Sequence, residues 1–116
     1  MQPSPLSGTS RAFGVRIINL HKFLTVKKRE RALGTQLLRC GTSIGANAWE
    51  ATCSFSRREF SAKMAIALKE AKETEYWLLL LRDAGYLDLR AFDSIMTDCQ
   101  ELISMLVPTV KKTKDP

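Results

Sequence analysis

The chain has 116 residues, 45% of them hydrophobic and 26% charged, which fits one domain able to bury a core of its own. No apolar run approaches the ~18 residues of a membrane span, and no metal-ligand or C-x-x-C spacing accompanies the three cysteines, Cys40, Cys53 and Cys99. The formal net charge of +6 is uneven: ten Lys or Arg stand against two acids up to Arg58, and eight against ten from Glu59 onward, so a polyanionic partner is expected to meet the first half.

Residues 1–9 open the chain with Pro, Ser and Thr and are expected to form a disordered tail. They lack the charged head and apolar middle of a secretory leader, and the odd, unpaired cysteines read as reduced, mostly buried small hydrophobes. A cytoplasmic location is therefore expected. The first helix is predicted from about Ser10 to Val26, where Phe13, Ile17, Leu20 and Leu24 fall on one stripe. Lys27, Lys28, Arg29 and Arg31 then mark a strongly basic turn.

The second helix is predicted from about Arg31 to Cys53, with Leu33, Leu37, Cys40, Ile44, Asn47 and Ala51 on its apolar face. Gly41, Gly45 and Ala48 line its middle. Glycine in a helix costs up to ~1 kcal/mol, so a close helix–helix approach should offset it, most simply inside the monomer.

The third helix carries the strongest signal. Phe60, Met64, Ala67, Ala71, Thr74, Leu78 and Leu81 keep the alternating spacing of a bundle seam. Its start reads as a capping box: Ser56 should accept from the Glu59 amide while Glu59 reaches back to that of Ser56, with Phe55 and Phe60 as a hydrophobic staple. Gly85 suits a left-handed cap and Asp88 an N-cap. The fourth helix follows from about Asp88 to Val110, on a stripe of Phe92, Met96, Cys99, Ile103, Leu106 and Val110, with Pro108 expected to end or bend its last turn. Residues 111–116 read as a second disordered tail. Short connections make consecutive helices antiparallel, so residues 10–110 form an all-α, up-and-down four-helix bundle.

Polar residues interrupt the apolar faces. Ser43, Asn47 and Glu50 follow one another on the second helix, and Glu70 and Glu73 sit between Ile66 and Trp77 on the third. Were both stripes to face inward, three carboxylates and an amide would share a partly buried space and need partners such as Arg39. A network that fixes helix register is the favoured reading. A carboxylate metal site ranks below it, because Glu70-x-x-Glu73 lacks the histidine of di-iron bundles and His21 has no acidic neighbour within two turns. Acid–base catalysis ranks last, since no nucleophile or phosphate loop accompanies the pair. No catalytic residue, cofactor or metal is assigned.

The run Gln36 to Ala51, with its S-I-G-A-N-x-x-E, and the run Ile66 to Trp77, with its K-E-A-x-E-T-x-Y-W, resemble a bacterial family of four-helix-bundle proteins. Its members include proteins encoded in intervening sequences of large-subunit ribosomal RNA genes, and the accessory variability determinant proteins of diversity-generating retroelements are similar to them. Cys40 and Trp49 depart from the smaller residues usual at their positions. The resemblance implies a homopentameric ring of bundles and, from the retroelement relatives, basic surfaces that meet nucleic acid and a reverse transcriptase.

The leading functional expectation is thus a non-enzymatic oligomeric scaffold that binds RNA or DNA through Lys27, Lys28, Arg29, Arg31, Arg39, Arg57 and Arg58. Contacts should go mainly to phosphate, because no recognition-helix or aromatic stacking pattern is apparent. The alternative is a protein-interaction module without nucleic acid, using Phe23, Trp49, Tyr76 and Tyr86. A carboxylate metal protein built on Glu50, Glu70 and Glu73 is the third.

Overall fold

Four apolar stripes meet along one axis in the computed structural model, which describes residues 5–114. The helices are α1 (Pro5–Val26), α2 (Ala32–Ala51), α3 (Arg57–Asp83) and α4 (Leu89–Thr113). Each packs on its chain neighbours, and α1 also meets α4, so the order around the bundle is the order in the sequence. Turns 27–31 and 84–88 therefore lie at one end. Turn 52–56, the start of α1 and the last turn of α4 lie at the other. The molecule measures 44 × 23 × 22 Å, consistent with α3 as its longest rod at roughly 40 Å. No described helix is long and apolar enough to cross a membrane.

The core follows the expected stripes except on α4, where Leu102 and Ile95, outside its stripe, are buried and Ile103 and Val110 are only partly so. Ile17, Leu24, Leu37, Ile44, Ala67, Ala71, Leu78, Leu81, Leu102 and Leu106 are sealed from solvent, and the partly buried Phe60, Leu33, Ile103 and Val110 pack against them. Gly41 shows why small residues occupy α2. A Cβ there would lie 2.8 Å from two carbons of Ile17, so α1 approaches α2 to a distance that any side chain would block. The close approach is inside the monomer.

The helix ends differ from expectation in four places. α1 begins at Pro5, inside the segment assigned to a tail, because proline suits a first helical turn and Leu6 is buried in the core. Residues 1–4 of that tail lie outside the described residues, as do 115–116 of the second. α2 stops at Ala51, where successive amides of Thr52, Cys53 and Ser54 bond carbonyls three residues back and tighten the chain into a turn. α4 runs through Pro108 to Thr113: the proline sits on the exposed face, where the carbonyl it deprives can take water, and Lys111 and Lys112 complement the helix dipole.

The fourth difference is at the start of α3. The Glu59 amide donates to Ser56 Oγ (3.0 Å) as expected, but the Glu59 carboxylate accepts from the Phe55 amide (3.2 Å) and not from that of Ser56. No staple forms. Phe60 turns to the core while Phe55 is 98% exposed. At the far end, Gly85 takes a φ of 84° and the Tyr86 amide returns to the Leu81 carbonyl (2.8 Å), while Asp88 caps α4 through the Ala91 amide (2.8 Å).

Candidate nucleic-acid interface

The polar residues within the bundle do not share one space. Asn47 donates to the Ser43 carbonyl (2.9 Å) and hydroxyl (3.0 Å) on its own helix. Glu50, expected beside the other two carboxylates, is 55% exposed on its side chain and pairs with Lys63 (2.9 Å), which reaches it from α3. Only Glu70 and Glu73 remain together. Glu73 pairs with Arg39 and accepts from the Trp77 indole (2.9 Å), and Glu70 lies 3.5 Å from the same guanidinium with only 15% of its side chain exposed. One arginine on α2 thus spans two turns of α3 and sets their register. The geometry is that of a structural tie. Among the described residues, no group of three or more His, Cys, Asp or Glu side chains is gathered to hold a metal ion.

The thiols near this tie are chemically quiet. Thr74, fully buried, holds its hydroxyl 2.8 Å from the Glu70 carbonyl and 3.2 Å from Cys40 Sγ. Burial pushes the Cys40 thiol up and carries that of Cys99 to about 12, far from thiolate chemistry at neutral pH. Cys53 differs: it lies exposed in the turn after α2.

The basic residues divide between the two ends. Lys27, Lys28, Arg29 and Arg31 crowd the turn between α1 and α2. Arg29 adopts a left-handed φ of 55°, which lets the Glu30 amide turn back to the Leu24 carbonyl (2.9 Å) and throws the guanidinium outward. The Glu30 carboxylate accepts from the Leu33 amide (2.6 Å), and Lys28 covers the Phe23 ring at 5.8 Å. Arg57 and Arg58 stand at the opposite end, about 30 Å away by the length of α2. Arg57 donates to the Lys112 carbonyl (2.6 Å) and so joins Lys111, Lys112 and Lys114 to its cluster.

These three lysines were not among the residues expected to bind. The signal for them was a lysine pair closing the apolar stripe of α4, hidden by its assignment to a tail. Arg39 belongs to neither cluster, being neutralised midway by Glu70 and Glu73. Of the seven residues expected to bind, six therefore fall in two separate patches. Among the described residues, none of Lys27, Lys28, Arg29, Arg31, Arg57, Arg58, Lys111, Lys112 and Lys114 has a carboxylate within ion-pair distance, whereas Arg82 beside the first cluster pairs with Asp83 (3.0 Å).

A family model described as 23S rRNA-intervening sequence protein matches residues 7–108. The chain is also similar to a crystal structure of a protein of unknown function from the S23 ribosomal protein family, from Bacteroides thetaiotaomicron VPI-5482. The two share 45% sequence identity and a TM-score of 0.90, over 91% of this chain and 98% of that one. No curated protein matches the sequence.

Proposed function

The chain belongs to the 23S rRNA-intervening sequence protein family, and we propose that it is a non-enzymatic oligomeric scaffold that holds RNA or DNA through phosphate contacts. The observation that carries this reading is the pair of basic ends. Each presents four or more unpaired cations, and each lies at a turn or helix end where side chains reach solvent from several directions. Two poles on one rod suit a bridge between phosphate backbones better than a single binding cleft. The tie of Arg39, Glu70 and Glu73 and the quiet core thiols keep the body rigid and offer no reacting group.

Assembly into a ring, which the family resemblance implies as a homopentamer, would repeat each basic end around an axis and multiply a modest affinity. An apolar groove between α1 and α2, about 310 Å³ and lined in part by Gly14, Val15, Ile18, Gly45 and Trp49, supports a contact between subunits. Val15 and Trp49 are each more than half exposed on the single chain, and burying them would favour association.

Fluorescence anisotropy with a labelled RNA hairpin and a DNA duplex tests the reading. Binding should be sequence-tolerant and fall by roughly 10³-fold or more between ~50 and ~200 mM salt if six or more phosphates are engaged. Charge reversal at Lys27 and Lys28 together should weaken it on both probes. No binding at ~50 mM salt removes the proposal. Partners that survive nuclease treatment in a pull-down would instead favour the protein-interaction alternative.

A further inference from the structure

We infer that the end of the bundle carrying Phe55 is a binding site for single-stranded nucleic acid, in which the Phe55 ring stacks on an unpaired base. The inference rests on the nucleic-acid reading above and adds to it the form of the nucleic acid and the end that selects it. Three observations converge here. Phe55 is 98% exposed, the barest large apolar side chain among the described residues. Its backbone is nonetheless fixed, since the Phe55 amide donates to the Glu59 carboxylate (3.2 Å) and Ser56 caps α3. The ring is held out on an ordered turn. Finally, Arg57 and Arg58 follow it after Ser56, and the Arg57–Lys112 bond (2.6 Å) brings Lys111, Lys112 and Lys114 to the same end.

An apolar ring kept in water beside unpaired cations is unfavourable unless something covers it. Charge decides what. A polyanion would be drawn to the cations, and the polyanion with a flat apolar face to offer is one with unstacked bases. In a duplex those faces are occupied by neighbouring pairs, so the ring can reach only single strands, loops or ends. The aromatics of the opposite end are less bare: Phe23 is 40% exposed with Lys28 lying 5.8 Å from its ring, and Tyr86 is half-buried. The Glu59 carboxylate accepts from the Phe55 amide.

Affinities for ~15-nucleotide oligo(dT) and oligo(U), within the range of site sizes for such proteins, should be compared with DNA and RNA duplexes of equal length. Phe55→Ala should weaken binding of the single strands by about fivefold or more, the lower bound for one lost stack, and leave duplex affinity within about twofold. Phe55→Trp should restore it. Arg58→Glu should weaken both forms alike, because phosphate attraction does not read pairing. The oligo(dT) and oligo(U) arms tell DNA from RNA, and preference for either supports the site. Because Phe55 makes no core contact, Phe55→Ala should keep the wild-type melting profile.

If Phe55→Ala leaves single-strand affinity unchanged while Arg58→Glu lowers it, stacking is wrong and the nucleic-acid reading stands. If Phe55→Ala alters the oligomeric state by light scattering, the ring is a subunit contact and the site is overturned. Equal displacement of the oligonucleotides by polyglutamate would overturn it in favour of an acidic protein. Failure of every nucleic acid to bind at ~50 mM salt removes both readings together.

Discussion

α2 and the seam between α1 and α4 solve the packing of the same bundle in opposite ways. α2 is in close contact on both flanks at Arg39–Gly41, and its groove toward α1 opens only further along, beside Gly45 and Trp49. Toward α1 it presents Gly41, against which Ile17 seats without a gap; toward α3 it presents Cys40 beside Thr74 and Arg39 across Glu70 and Glu73. The α1–α4 seam is held by Arg16, which bonds the Ser94 carbonyl (3.2 Å), the Ser94 hydroxyl (2.9 Å) and Asp98 (2.5 Å). Open grooves of about 380 Å³ and 370 Å³ lie against it, one floored by Leu20, Leu87 and Ile95 and the other by Gly8, Ala12 and Phe13. The bundle is thus a sheet of helices rolled until its edges touch, and its strength lies away from the edge.

The largest test of that contrast is Gly41→Val. Its added carbons collide with Ile17, and overpacking of this kind costs about 1–3 kcal/mol, read as a lower urea midpoint with an unchanged m value. Glu73→Ala should cost about 1 kcal/mol, since it leaves the Trp77 indole without its acceptor. The charge contribution is kept small because the Arg39 side chain is 53% exposed. Glu73→Gln should recover the indole bond and roughly half of that loss. Arg16→Ala should matter least. Both members of the Arg16–Asp98 pair are 40% exposed, and pairs of this kind contribute about 0.5 kcal/mol. A cost for Arg16→Ala that matched Gly41→Val would break the comparison. Hydrogen exchange would sharpen it, with the first turns of α1 expected to open before the middle of α2.

Much of this was legible in the sequence, because burial on a helix follows a fixed period. The stripes of α2, α3 and α4, the Ser56 and Asp88 caps and the left-handed Gly85 all depend on neighbours within about one turn. Arg39 as the partner of the glutamates was legible too, from the register of two long stripes. The failures share one physical origin, which is direction set by distant chain. A staple requires the residue before the cap to turn inward, yet the tightened turn after Ala51 aims Phe55 outward. Glu50 shares a stripe with Ser43 and Asn47 but sits near the end of α2, where Lys63 reaches it. The cluster of Arg57 with Lys111, Lys112 and Lys114 joins opposite halves of the chain, so no window along the sequence contains it.

Placing turn 52–56 with both helical termini at one end carries a practical consequence. An even count of antiparallel rods brings the chain back to where it started, so a tag or fusion at Pro5 or Thr113 would hang beside Phe55 and Arg57. Such an addition would shield or crowd the surface whose binding is to be measured. Turn 84–88 holds a label clear of Phe55, at the end that carries the other basic turn, 27–31. For the same reason the chain is a natural candidate for circular permutation: joining Thr113 to Pro5 by a short linker and opening it at Gly85 would keep all four rods in place and move the cut to the end away from Phe55.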